Sequence, residues 1–474
     1  MTNYLELPLL EINKKLKNKE IKVIDLVNEC FYKIEKNKDL NCFITLNKEE
    51  AIKQALYLDN KEVDNILFGI PISIKDNIVT KDLKTTCASL MLKDFIPTYD
   101  ATVITKIKEK NMVIIGKTNM DEFAMGSSNE TSYFGSVLNP FDKTKVPGGS
   151  SGGSAVSVSS KIVPFSLGSD TGGSIRQPSA FNNLVGMKPT YGRISRYGLV
   201  SFASSLDQIG VISRNVYENA LLLNVLVGND ENDLTSSNKE VIDFTRLINK
   251  DFENKKIAIP SFYVNEAIDK KILDKFYEII GFLKSKGFIV EFVDIEYIEN
   301  SVSLYQIIAL AEASSNLARY DGIRYGYQTN KETKDLDDFY KTNRQEAFGD
   351  EVKRRIMIGS YVLSSENVDV YYYKALNIRK KITENFEKTL KEYDFIIGPT
   401  TTTFPYNLGE KQDDAIKSFF DDLLTIPINM AGLPSLNLPI GHFIGMQIIS
   451  SKFNEDKIYQ LAHFIESNRG GINE

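Results

Sequence analysis

The 474-residue sequence predicts an α/β fold with a largely parallel or mixed central sheet. Three observations carry this. Short apolar runs bounded by turn residues alternate with stretches whose apolar residues recur three and four apart, the signature of strands alternating with helices. Apolar residues make up 42% of the chain and charged residues 25%, which allows a sizeable core. The length suits one large domain or two fused ones.

The elements follow in order. LLEINKKLKN and VIDLVNECFYKIEKN read as amphipathic helices, and CFITL as a short strand after them. FGIPISIKDN is a short apolar strand ending on Lys75 and Asp76, and MVIIGKTN is a second buried run. From Asn139 to Gly210 the chain is rich in Gly and Ser and poor in charge. VSVSSKIVPFSLGSD and NLVGMKPTYGRIS offer short strands there, but loops are expected to dominate. GNDENDLTSSNKEV, residues 228–241, reads as a surface loop or a boundary. KIAIP, a helix over 266–286 and FIVEFVDI then form a β-α-β pattern. Three more helical stretches, the strand DFIIGPT, a helix beginning SFFDDLL and a final strand PSLNLPI complete the chain. The expected organisation is one domain over 1–474: a helical stretch 1–60, a Gly/Ser-rich core over 68–215, and an α/β and helical remainder over 250–474.

A net charge of −6 argues against the chain alone gripping a phosphate backbone, which needs clustered Lys and Arg. Cys30, Cys42 and Cys87 form no C-x-x-C pair, so neither a disulfide framework nor a zinc site is expected, and a reducing compartment fits better. No signal peptide or 18-residue apolar stretch is read, which points to the cytoplasm, or to an organellar matrix if a targeting segment has been removed. The two histidines, His442 and His463, both lie near the C-terminus. Scarce histidine disfavours the usual hydrolytic machinery, which takes its base or metal ligand from that residue.

Two phrases carry the chemistry: PGGSSGGSA (147–155) and LGSDTGGSIRQP (167–178). A phosphate cradle is disfavoured, because neither phrase has Walker A spacing and GKT at 116–118 lacks its first glycine. A nucleophile elbow at Ser150 matches G-x-S-x-G, but the preceding NPFDKTKVP is no buried strand. The third reading is a network of two serines and a lysine. A serine attacks poorly unless a base takes its proton, and a neutral lysine substitutes for histidine. That lysine must lose about 3 pKa units, which burial can supply. Lys75 alone would read as solvated, with its charge favoured by Asp76. Gly172 and Gly173 let backbone N–H groups converge on a developing oxyanion beside Ser174.

GIPISIKDN, GGSSGGSA and GSDTGGSIRQPSA together resemble the amidase signature family of Ser-Ser-Lys hydrolases. The resemblance implies a large mixed sheet covered by helices on both faces. It implies Ser174 as nucleophile, Ser150 as the bridging serine behind a cis Gly149–Ser150 peptide, Lys75 as base and then acid, and Thr171, Gly172 and Gly173 in the oxyanion hole. NMDEFAMGSSNETSYFG, VGMKPTYGRISRYGLVSFASSLDQIG, EASSNLARYDGIRYGY, EVKRRIMIGSYVLSS and DDLLTIPINMAGLPS are similar to one branch of that family, the A-type subunits of tRNA-dependent amidotransferases. That branch implies glutamine as substrate, B-type and C-type partners in a heterotrimer, tRNA met mainly through a partner, and no membrane. It implies no metal or cofactor in this chain, with ATP and Mg²⁺ used in the partner. It also implies Arg355 for the substrate carboxylate and Asp422 for its ammonium, with Arg354 the competitor of Arg355, and Tyr305, Gly126, Ser127 and Ser128 lining the pocket. A stand-alone amidase and a catalytically silent structural protein of the complex are the alternatives. The sequence departs from the branch at GHFIGMQIIS, where a longer hairpin is compressed, which puts the C-terminal sheet edge in doubt.

Overall fold

The structure, a computed structural model, describes residues 3–252, 255–410 and 420–468. One eleven-stranded sheet runs through it. Its strands are β1 (Phe43–Leu46), β2 (Pro71–Lys75), β3 (Val113–Thr118), β4 (Phe165–Asp170), β5 (Val185–Lys188), β6 (Gln208–Ser213), β7 (Lys256–Pro260), β8 (Ile289–Val293), β9 (Phe395–Pro399), β10 (Ser435–Gly441) and β11 (Ile444–Ile449). Their order is β1-β3-β2-β4-β6-β5-β10-β11-β9-β7-β8. Parallel pairs (β2 with β3 and β4, β7 with β8 and β9) sit among antiparallel ones, so the sheet is mixed as expected.

Strands β2 to β6 are buried along their whole length, which requires both faces of the sheet to be covered. Their sequences are continuous apolar and small-residue runs for that reason. The amphipathic helices Leu9–Lys17 and Val23–Lys36 fall where the periodicity predicts them. Between β8 and β9 there are four helices rather than three: Ser301–Leu317, Leu336–Ala347, Asp350–Val362 and Lys374–Glu392. The first and third pack very closely. A β-carbon on Gly359 would run into the Leu310 carbonyl.

Two expectations need correction. Loops do dominate the Gly/Ser stretch, but between them lie the helices Gly152–Ser159 and Arg176–Phe181 and strands β4 and β5, and β6 begins at Gln208. VSVS, offered as strand, belongs to the first of these helices. Glycine lowers helix propensity, but here it permits contact that no side chain would. A β-carbon on Gly153 would overlap the Asn119 backbone. The compressed GHFIGMQIIS does not form a sheet edge. It makes β11, paired with β10 from Ser435↔Ile449 to Gly441↔Ile444, in the interior of the sheet between β5 and β9. The helix read from Ser418 begins outside the described residues, and its described part is helical over Ile426–Ala431.

Candidate active site

Lys75 closes β2, an interior strand between β3 and β4, and is fully buried. Its Nζ lies 2.8 Å from Ser150 Oγ, 2.7 Å from Ser151 Oγ and 3.3 Å from the Ser169 carbonyl. Ser151 Oγ itself donates to the Ser169 carbonyl at 3.1 Å, so it accepts from the lysine. A neutral amine has two N–H groups and one lone pair. Ser151 Oγ and the Ser169 carbonyl take the two N–H groups, which leaves the lone pair for the Ser150 hydroxyl. Burial pushes the Lys75 pKa down and the Asp121, Asp170 and Asp207 carboxylates pull it back up. The balance is about 7.

Asp76 does not oppose this. Its carboxylate accepts from the Thr86 N–H at 2.9 Å and from the Thr86 hydroxyl, and stands 3.9 Å from Lys117 Nζ. Lys117, on β3, also donates to the Ile78 carbonyl and to Thr85 Oγ1, on the far side of the Lys75–Ile78 turn.

The Gly149–Ser150 peptide is cis, and Ser150 and Ser151 are fully buried. Ser174 is 4% exposed. The two serine loops are tied through the backbone, with the Ser151 N–H donating to the Ser174 carbonyl at 3.3 Å. Among the described residues the Ser174 hydroxyl has no hydrogen-bond partner, and the N–H groups of Gly172, Gly173 and Ser174 meet no acceptor. Three amides with no protein partner among those residues lie in one loop beside the Ser174 hydroxyl, and such amides are the donor set an oxyanion needs.

Two further groups frame that loop. Thr425 Oγ1 donates to the Gly172 carbonyl at 2.6 Å. The buried guanidinium of Arg176 forks onto Asp170, with both bonds at 3.1 Å, and reaches the Thr425 carbonyl and Gln447. Burial alone would raise the Asp170 carboxyl, but Arg176 outweighs it and holds it below the ordinary range.

The remaining predicted residues gather on the same side. A β-carbon on Gly172 would lie 3.0 Å from Tyr305 Cζ, and one on Gly173 would overlap Asp422 Oδ1. Asp422 is buried with Oδ1 lacking a hydrogen-bond partner among the described residues. Burial, and then Asp421 and Asp170, push its carboxyl well above the ordinary value. Arg355 is 5% exposed on the Asp350–Val362 helix, bonds Glu351 at 2.6 Å, and places its guanidinium 5.5 Å from the centre of the Phe202 ring. Phe202 in turn meets Tyr305 edge-on. Arg354 is the more exposed of the pair, forked onto Glu351. Gly126, Ser127 and Ser128 lie against the serine loop. A β-carbon on Gly149 would come within 2.8 Å of the Ser128 nitrogen, and Ser127 Oγ bonds Asp421 at 3.0 Å.

Sequence reasoning missed Ser151, Asp121, Asp207, Phe202 and Thr425. Ser151 was visible as the twin of Ser150 in GGSSGG, but nothing in the spacing says which oxygen faces the lysine. Asp121 is fully buried beneath the loop and accepts from the N–H groups of Asn129 and Thr131. Among the described residues there is no His/Cys/Asp/Glu cluster suited to a metal ion, and no helix long and apolar enough to cross a membrane. The three cysteines are buried and free.

The chain is similar to known proteins over nearly its whole length. The amidase family model matches residues 25–459. The A-type subunit of the glutamyl-tRNA(Gln) amidotransferase of Staphylococcus epidermidis is 50% identical over 466 residues, 96% of each chain. The protein of the same name from Pediococcus pentosaceus is 50% identical over 471 residues, covering 98% of this chain and 97% of the relative. Among solved structures, the corresponding glutamyl-tRNA(Gln) amidotransferase chain from Thermotoga maritima matches with a TM-score of 0.82 at 39% identity. The match covers 98% of this chain and 96% of that one.

Proposed function

The chain belongs to the amidase family, and on that premise we propose that it is the glutamine-hydrolysing, A-type component of a tRNA-dependent amidotransferase. Identity of 50% to proteins of that name, over 96% of the chain, favours this branch over a stand-alone amidase. The observation that carries the chemistry is the fully buried Lys75 Nζ, 2.8 Å from Ser150 Oγ with its other hydrogen bonds already made. A silent structural component would have no use for a lysine held near neutrality.

Neutral Lys75 takes the Ser150 proton as Ser150 takes the proton of Ser174. Ser174 Oγ attacks the side-chain carboxamide carbon of glutamine. Charge on the carbonyl oxygen is met by the amides of the Thr171–Ser174 segment. The proton returns through Ser150 to the leaving nitrogen, the C–N bond breaks, and ammonia departs. Water then attacks the glutamyl ester on Ser174 by the same relay, releasing glutamate and the free serine. Arg355 receives the substrate carboxylate through its planar fork. Asp422, whose Oδ1 is buried with no hydrogen-bond partner among the described residues, receives the ammonium.

Ammonia passes to the B-type partner, which activates the acyl-tRNA with ATP and Mg²⁺, and the C-type partner tethers the two. Glu-tRNA(Gln) becomes Gln-tRNA(Gln), or Asp-tRNA(Asn) becomes Asn-tRNA(Asn), in the cytoplasm or an organellar matrix. This chain needs no cofactor of its own for the hydrolysis. The test is co-expression with candidate partners and measurement of glutamate release with and without acyl-tRNA and ATP. Release coupled to amidated tRNA supports the assignment. Faster hydrolysis of apolar amides than of glutamine contradicts it.

A further inference from the structure

Asp207 is buried just before β6, and no step above uses it. Its carboxylate is shared between two loops. Oδ1 accepts from Thr171 Oγ1 at 2.6 Å, and Oδ2 accepts from the N–H groups of Phe202 at 2.9 Å and Ala203 at 3.0 Å. Thr171 opens the segment that supplies the oxyanion amides. Phe202 is the ring beneath the Arg355 guanidinium, 5.5 Å from its centre, and it also braces Tyr305 edge-on. Tyr305 in turn covers Gly172. The Phe202 carbonyl is fastened from the other side by Asn316 Nδ2 at 3.1 Å, on the same helix as Tyr305. The circuit from Thr171 through Asp207, Phe202 and Tyr305 back to Gly172 is therefore closed. A carboxylate that only capped its own turn would need the two backbone donors and nothing from Thr171.

We propose that Asp207 is a positioning residue that locks the oxyanion segment to the aromatic bed of the carboxylate-binding arginine, so that one side chain sets both catalysis and glutamine recognition. This rests on the roles given above to Thr171–Ser174 and Arg355. Its consequence is a division of labour between the two oxygens. Loss of the Oδ1 arm disturbs the oxyanion segment, and loss of the Oδ2 arm disturbs the bed of Arg355.

Steady-state glutaminase kinetics of the complex test it. Asp207→Ala should lower kcat and raise KM for glutamine, each by about tenfold, the usual scale for one charge-assisted hydrogen bond. Asp207→Asn should restore most of both, because its Nδ2 donates to Thr171 Oγ1 while its Oδ1 accepts the two N–H groups. Thr171→Val, which cuts the first arm alone, should lower kcat more than it raises KM. Phe202→Leu should raise KM more than it lowers kcat. Phe202→Leu keeps the backbone N–H that Oδ2 holds and tests only the part of the ring in the bed, so Thr171→Val decides the matter if Asp207→Ala does not fold. A folded Asp207→Ala with wild-type kcat and KM overturns the proposal. So does failure of Asp207→Asn to restore activity, or a Thr171→Val variant that changes kcat and KM alike. Wild-type complex without glutaminase activity would instead remove the functional assignment on which the proposal stands.

Discussion

Gly173 packs so tightly against Asp422 that a β-carbon on the glycine would overlap the Asp422 carboxylate and Thr425 Oγ1. The residue that leads into the nucleophile is thus in contact with the residue assigned to the substrate ammonium. Gly173→Ala is expected to fold and to lose about a hundredfold in kcat/KM, the cost of displacing reacting groups by about 1 Å. Circular dichroism and glutamine titration check this. Near wild-type kcat/KM would mean that the loop and the carboxylate are not held in register.

Lys75 acts as a base only when neutral, and its pKa is about 7. Glutaminase kcat/KM is expected to rise with pH through about 7 and then level off. The same shift has a stability consequence. The folded protein binds fewer protons at Lys75 than the unfolded chain does between about pH 7 and pH 10.4, so stability rises with pH across that window. Replacing Lys75 by Met removes this dependence. The stability of Lys75→Met relative to wild type should be greater at pH 6 than at pH 9 by about 3 kcal/mol. Chemical denaturation at the two pH values measures it.

Asp422 has its carboxyl raised by burial, then by Asp421 and Asp170. It must be ionised to pair with an ammonium, so KM for glutamine should fall as pH rises through its raised range. Asp422→Asn should raise KM by about a hundredfold, as for a lost buried charge partner, and flatten that pH dependence. A KM profile unchanged by the substitution would remove Asp422 from substrate recognition.

Ser151 Oγ accepts from Lys75 at 2.7 Å and donates onward to the Ser169 carbonyl. Ser151→Ala frees one lysine N–H and lets the lone pair turn away from Ser150. The expected result is a kcat loss of about tenfold with KM little changed. A purely structural Ser151 would lower stability and leave kcat of the folded protein intact.

The strands that build the site were legible because they are buried on both faces and read as short continuous apolar runs. PISIK and VIIGKT were found this way, and with them the placing of Lys75 at a strand end. The helix Gly152–Ser159 was hidden, because its residues are chosen for close backbone approach rather than helix propensity. The interior position of β10 and β11 was hidden too. Strand order depends on pairings as distant as Ser435 with Lys188, which local pattern does not encode. Of the site, the two glycine-rich phrases and the lysine stood out. The buried carboxylates Asp121 and Asp207 did not, since an aspartate in a loop looks the same in sequence whether it is solvated or holds three donors.

The central claim is that Ser174, activated through Ser150 and Lys75, carries the acyl group. Rapid acid quench of the complex with glutamine, followed by peptide mass analysis, tests it most directly. The expected result is a glutamyl ester on the peptide containing Ser174, absent from Ser174→Ala along with glutamate release. A glutamyl adduct on Ser150, or undiminished glutamate release by Ser174→Ala, would contradict it.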